Sequence, residues 1–127
     1  MPLFPFLTGI ESTRICTPGV GVLPVDVMDL TDHTYRFRED LISIKQAGVT
    51  HLRCPVRWHE IERVPADYRW DFTDAYLNWV KQLGLKPIVD LLHHTSFPLW
   101  LTGGFRDHNF VEAFWDFFNA FQARYPW

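Results

Sequence analysis

The residues able to do chemistry in this chain are a few polar side chains set into apolar runs. Arg53 interrupts Leu52-Arg53-Cys54-Pro55-Val56, which leads into Arg57 and Trp58. His93 and His94 close a second run, residues 88–92, whose one carboxylate is Asp90. Glu11 stands singly after a first run, residues 3–10. Side chains alternate along a strand, so Arg53 must face away from Leu52, Cys54 and Val56. A guanidinium on the inner face of a sheet is partly buried and needs an anion, for which Asp90 is a candidate. The same parity sets His94 on the face of Ile88, Asp90 and Leu92. A guanidinium and an imidazole at neighbouring strand ends can bind and orient a polar ligand through hydrogen bonds.

Other groupings point to less. Adjacent histidines on a strand face opposite ways, and His51 and His59 complete no tetrahedral set, so no metal site is expected. Glu60 and Glu62 could suggest a hydrolytic carboxylate pair. Two apart in a polar stretch, they read instead as a solvated loop. Ser43 and Ser96 lack the G-x-S-x-G setting of a nucleophile elbow. No complete catalytic set is present.

These residues need elements to position them. Lys45-Gln46-Ala47-Gly48-Val49 before the Arg53 segment matches Lys81-Gln82-Leu83-Gly84-Leu85 before the His93 segment. The glycines are 36 residues apart, about one strand-plus-helix repeat. The pattern predicts a first strand within residues 3–10 and a long loop over 16–30. A helix then starts between Asp32 and Thr34 and ends at Gly48. A strand around 52–56 follows, then a loop over 57–70. A helix runs from about Asp71 to Gly84, and a strand over 88–92 comes next. A third helix opens on a capping box at Asn109 and Glu112, with Phe114, Phe117, Phe118 and Phe121 on its core face. Strands separated by helices mean a parallel sheet, either doubly wound or a (β/α)8 barrel. No glycine-rich phosphate loop follows any strand, which counts against a dinucleotide-binding version. Three strands cannot close a barrel, so residues 1–127 are expected to be one part of a larger barrel domain, with a self-contained three-stranded domain as the other reading.

Composition agrees with a globular chain. It has 127 residues, a formal net charge of −3 and no basic stripe, so nucleic acid is not an expected partner. No apolar run is long enough to span a membrane, and the first ten residues lack the basic start of a signal peptide. Cys16 and Cys54 are too few for a disulfide framework and read as reduced thiols, which suits a cytoplasmic protein.

The same residues resemble the N-terminal part of a glycoside hydrolase family 1 β-glycosidase. That family has an R-x-x-E-D run, then a helix ending in Gly, then Y-R-F-S-x-x-W. Here they are Arg36-Phe37-Arg38-Glu39-Asp40, then Gly48, then Leu52-Arg53-Cys54-Pro55-Val56-Arg57-Trp58. Its third strand, P-I-V-x-L-x-H-[WF]-x-x-P, is similar to residues 87–98, where Pro98 sets His94 on the family histidine. Gly103-Gly104-Phe105 and residues 121–126 resemble the turn and helix that follow.

The resemblance implies a partial TIM (β/α)8 barrel covering about the first three βα units. It implies hydrolysis of β-glycosides with retention, by two carboxylates and without a cofactor. By it, Arg53 supports the nucleophilic glutamate, while His94, Trp58 and Glu11 belong to the sugar-binding wall, Trp58 as scaffold. The substrate would be a small β-glycoside or oligosaccharide. The chain departs from the family at Thr95, where an aromatic is usual, and has no clear match for the first-strand glutamine. The acid/base and the nucleophile of the family lie on the fourth and seventh strands, so this chain carries neither. It would be inactive without the remaining barrel half. The alternative is a non-catalytic, glycosidase-like sugar-binding domain, partnered with a reductase of dTDP-rhamnose metabolism, as similar domains fused to such reductases suggest.

Overall fold

A computed structural model describes residues 5–15 and 23–127. Three short strands, β1 (Leu7–Gly9), β4 (His51–Pro55) and β5 (Lys86–Asp90), form a parallel sheet in the order β1-β4-β5. Gly9, Arg53 and Ile88 lie in one row across it, and Pro55 pairs with Asp90. Helices α2 (His33–Gln46) and α4 (Asp71–Gln82) make the two crossovers, and α5 (Phe110–Arg124) follows β5. Gly48 and Gly84 end the crossover helices at φ of 85° and 66°, a left-handed turn that a residue with a Cβ adopts at a cost.

Alternation on β4 decides the two faces. Leu52 and Cys54 are buried beneath α2 and α4, among Phe37, Leu41, Tyr76, Leu77 and Val80. Arg53 points the other way, and on that face Leu7 and Ile88 are about half exposed. Parallel sheets usually have both faces covered, as in a barrel. Here the helices cover one face, while the other holds the polar residues singled out above.

The loops hold more structure than their composition indicates. Of the expected first strand, residues 7–9 are extended, and residues 1–4 lie outside the described residues. Likewise 16–22, with Cys16, fall outside them. Within the expected loop over 16–30, β3 (Val25–Asp26) pairs antiparallel with β2 (Arg14–Ile15), and the short helix α1 (Val27–Leu30) follows. Asp26 caps α1 by accepting from the Met28 N–H at 2.9 Å. A further helix, α3 (Trp58–Ile61), lies in the expected loop over 57–70.

Two caps differ from expectation. Neither Asp32, left-handed at φ 58°, nor Asn109 makes a side-chain cap bond. On α5, Phe117 and Phe121 are buried and Phe114 packs against the core. Phe118 turns outward to stack on the exposed Trp115, because it lies about 100° around the helix from Phe117.

Candidate functional site

Glu11, Arg53, Asp90 and His93 meet at the C-terminal ends of the three parallel strands. Arg53 Nη2 donates to Glu11 Oε1 at 2.6 Å. His93 Nε2 lies 3.0 Å from Glu11 Oε2, and its Nδ1 lies 2.9 Å from Asp90 Oδ2. Arg53 Nε stands 3.9 Å from Asp90, too long for a hydrogen bond, and is buried without an acceptor. The anticipated Arg53–Asp90 pair is therefore the weaker contact, and Glu11 is the main partner of Arg53.

The backbone makes this arrangement possible. Gly9 sits beside Arg53 in register, and a Cβ there would stand 3.1 Å from Arg53 Nε and 3.2 Å from its Cβ. A glycine on β1 thus lets the arginine stem lie across the strand. The turn after β5 is held by Ser96, which accepts from the His93 N–H with its hydroxyl and donates its own N–H to the His93 carbonyl.

The histidine in this network is His93. Strand geometry ends at Asp90, so the parity that set His94 on the inner face no longer applies. His93 curls back over Asp90, three residues earlier, while His94 adopts φ 52° and is exposed. The two rings still pack edge to face, 4.5 Å apart, so His94 borders the site. Strand parity pointed to His94, and the Asp90-x-x-His93 spacing was the signal for His93.

Electrostatics give Glu11 a definite role. The His93 hydrogen bond, and the Arg53 charge beside it, hold its carboxyl below the ordinary glutamate range. An ionised Glu11 accepts hydrogen bonds and cannot serve as a general acid near neutrality. Each imidazole nitrogen faces a carboxylate oxygen, which fixes the ring plane. Replacing His93 by leucine should raise the Glu11 titration midpoint toward the ordinary value, and by more than Arg53→Met does. Carboxyl 13C NMR titration checks this, and the reverse order would give Arg53 the leading role.

Trp58 lies elsewhere. It has no exposed surface, stacks on Phe117 at 5.2 Å and donates its indole N–H to Glu62 Oε2 at 2.6 Å. It is scaffold beneath the loops. Glu62 overturns the solvated-loop expectation: it is buried, and its other oxygen accepts the Ala66 N–H at 2.8 Å. Turn and helix close over it because an indole and a backbone amide satisfy the carboxylate.

A second buried polar cluster had no sequence signal. Arg57 Nη1 donates to Asp26 and Asp29, both at 3.1 Å, and His59 Nε2 lies 2.8 Å from Asp26. Burial would raise the Asp26 carboxyl, but the His59 hydrogen bond and the Arg57 charge outweigh it and hold it at about 2. Among the described residues, no group of three His, Cys, Asp or Glu is placed to hold a metal, and no helix is long and apolar enough to cross a membrane.

The chain matches no family model. It is 29% identical over 102 residues to the aryl-phospho-beta-D-glucosidase BglA of Bacillus subtilis, covering 74% of this chain and 21% of that protein. A probable glucan 1,3-beta-glucosidase A of Aspergillus terreus is 34% identical over 62 residues, 46% of this chain and 15% of that protein. The chain thus spans about a fifth or less of the curated relatives it matches. Among solved structures, the GH1 beta-glucosidase of Exiguobacterium antarcticum B7 superposes on 99% of this chain and 33% of its own, with a TM-score of 0.77 and 25% identity. The family 1 β-glucosidase of Thermotoga maritima covers 65% of this chain and 20% of its own, at 0.58 and 27%. In sequence and in fold, the chain is similar to glycoside hydrolase family 1 β-glucosidases, and its parallel sheet with crossover helices matches part of their (β/α)8 barrel.

Proposed function

We propose that this chain is the N-terminal part of a β-glycosidase barrel and supplies one wall of its sugar pocket. The observation that carries this reading is the Glu11–Arg53–His93–Asp90 network at the ends of parallel strands, where barrels bind their ligands. In a retaining mechanism two carboxylates about 5–5.5 Å apart attack and protonate the glycosidic bond. This chain contributes neither.

Arg53 is suited to hold the nucleophilic carboxylate ionised and aimed, by charge and by its forked donors. Glu11, an acceptor, and His93, its neighbour, are suited to sugar hydroxyls, with His94 at the rim. Relatives support a small glycoside ligand: the Thermotoga maritima enzyme has been solved in complex with deoxynojirimycin and with castanospermine. Trp58 serves the site through the packing of α3.

The test is release of p-nitrophenol from an aryl β-glucoside by the full-length parent. Arg53→Ala should lower kcat/KM at least tenfold, about 1.4 kcal/mol of transition-state stabilisation. A smaller loss in an active parent would remove Arg53 from this role. The chain alone should release none.

A further inference from the structure

A cavity of about 260 Å³, lined by none of the Glu11–Arg53–His93–Asp90 residues, lies between α3, the segment after it and the first turn of α4. Three guanidiniums from three points of the chain, Arg57, Arg63 and Arg69, line it. Arg57 is buried, with one nitrogen, Nη1, committed to Asp26 and Asp29 and its Nε lacking any acceptor. Arg63 and Arg69 are exposed and pair only locally, with Glu60 and Asp67. The Arg69 N–H donates to the Ile61 carbonyl at 2.8 Å, which holds that residue against α3.

The floor of the cavity is the N-terminus of α4, a twelve-residue helix without a side-chain cap bond. Its first N–H groups and its dipole favour negative charge. Thr73 lines the same cavity. Thr73 is only 4% exposed, and the polar atom at this cavity that is buried without a hydrogen-bond partner is Arg57 Nε, on a residue 7% exposed. A buried guanidinium donor lacking an acceptor beside a cavity is what a ligand oxygen would satisfy.

We propose that this cavity binds a tetrahedral oxyanion, as free phosphate or as the phosphate monoester of a small molecule. Forked guanidiniums, a hydroxyl and helix N–H groups together supply donors on several sides of one phosphate group. Glu60 is engaged by Arg63, which leaves Asp71, at the first position of α4, as the opposing carboxylate in the lining. The sign of its effect separates this ligand class from the others.

The experiment is calorimetric titration of the chain with inorganic phosphate at constant ionic strength, with chloride as the control. Saturable binding is expected, weakened at least about fivefold by Arg69→Ala and by the isosteric Thr73→Val. Asp71→Asn should tighten it. Arg69 is exposed, so its loss leaves the fold intact, and circular dichroism checks this. Glucose 6-phosphate binding more tightly than phosphate would identify an ester as ligand, and equal affinity would identify the free ion. The proposal fails if millimolar phosphate gives no saturable binding or if Arg69→Ala leaves binding unchanged. It also fails if Asp71→Asn weakens binding or if glucose alone binds in an Arg69-dependent way. None of these readouts involves glycoside hydrolysis.

Discussion

Replacing Trp58 by alanine should destabilise the chain by about 3–5 kcal/mol, the range for deleting a buried large aromatic. Its ring has no exposed surface, stacks on Phe117 and packs on Phe110 and Phe114. The loss would leave a cavity between α3 and α5 and unpair Glu62 Oε2. Urea denaturation followed by far-UV circular dichroism measures the effect. Trp58→Phe separates the two contributions. It keeps an aromatic stack but leaves a buried carboxylate oxygen without its donor, at a cost of about 1–3 kcal/mol. Adding Glu62→Leu to Trp58→Phe should recover part of that cost, giving a coupling energy between the two positions. A change below 1 kcal/mol (roughly, against this expected range) for Trp58→Ala would mean that α5 repacks freely.

Arg57→Met is expected to be comparably damaging, about 3–5 kcal/mol, because it removes one member of a buried ionic cluster and leaves the others. Asp26 and His59 are buried and would keep their charge-bearing groups without the guanidinium. The cluster also sets a pH dependence. The Asp26 carboxyl is held at about 2 in the fold, below its ordinary 3.8. A depressed carboxylate contributes stability that is complete above the unfolded value and is lost as pH falls through the folded one. The parent chain should therefore lose about 2 kcal/mol between pH 5 and pH 2 from this group. In Arg57→Met the Asp26 carboxyl rises, so less stability remains to be lost over that interval. Denaturation midpoints across the acid range test this, and parallel pH profiles for the two proteins would show that Arg57 does not govern Asp26.

The repeated helix–glycine–strand pattern was legible because it is local. Gly48 and Gly84 stop helices through backbone freedom, and Leu52 and Cys54 alternate with Arg53 through strand parity. Both signals act over a few residues, and both held in the structure. The short helices α1 and α3 were not legible. Each is a single turn whose stability comes from distant partners, such as Ser96 accepting the His59 N–H and Trp100 donating to the Glu62 carbonyl. A four-residue helix has too few of its own hydrogen bonds to declare itself. Glu62 misled for the same reason. Its burial depends on an indole four residues away, which is itself packed against the Phe110, Phe114 and Phe117 rings of α5.

By itself, the sequence determined the parallel βαβ plan, the inward face of Arg53 and the strand ends where a ligand would meet it. These follow from periods of 2 and 3.6 residues and from glycine at helix ends. Only the tertiary structure decided which groups meet there. Glu11 reaches Arg53 across 42 residues and His93 across 82, separations over which no local rule operates. It also decided between the adjacent histidines. The strand stops at Asp90, and the turn fixed by Ser96 rotates His93 into the network and His94 to its rim.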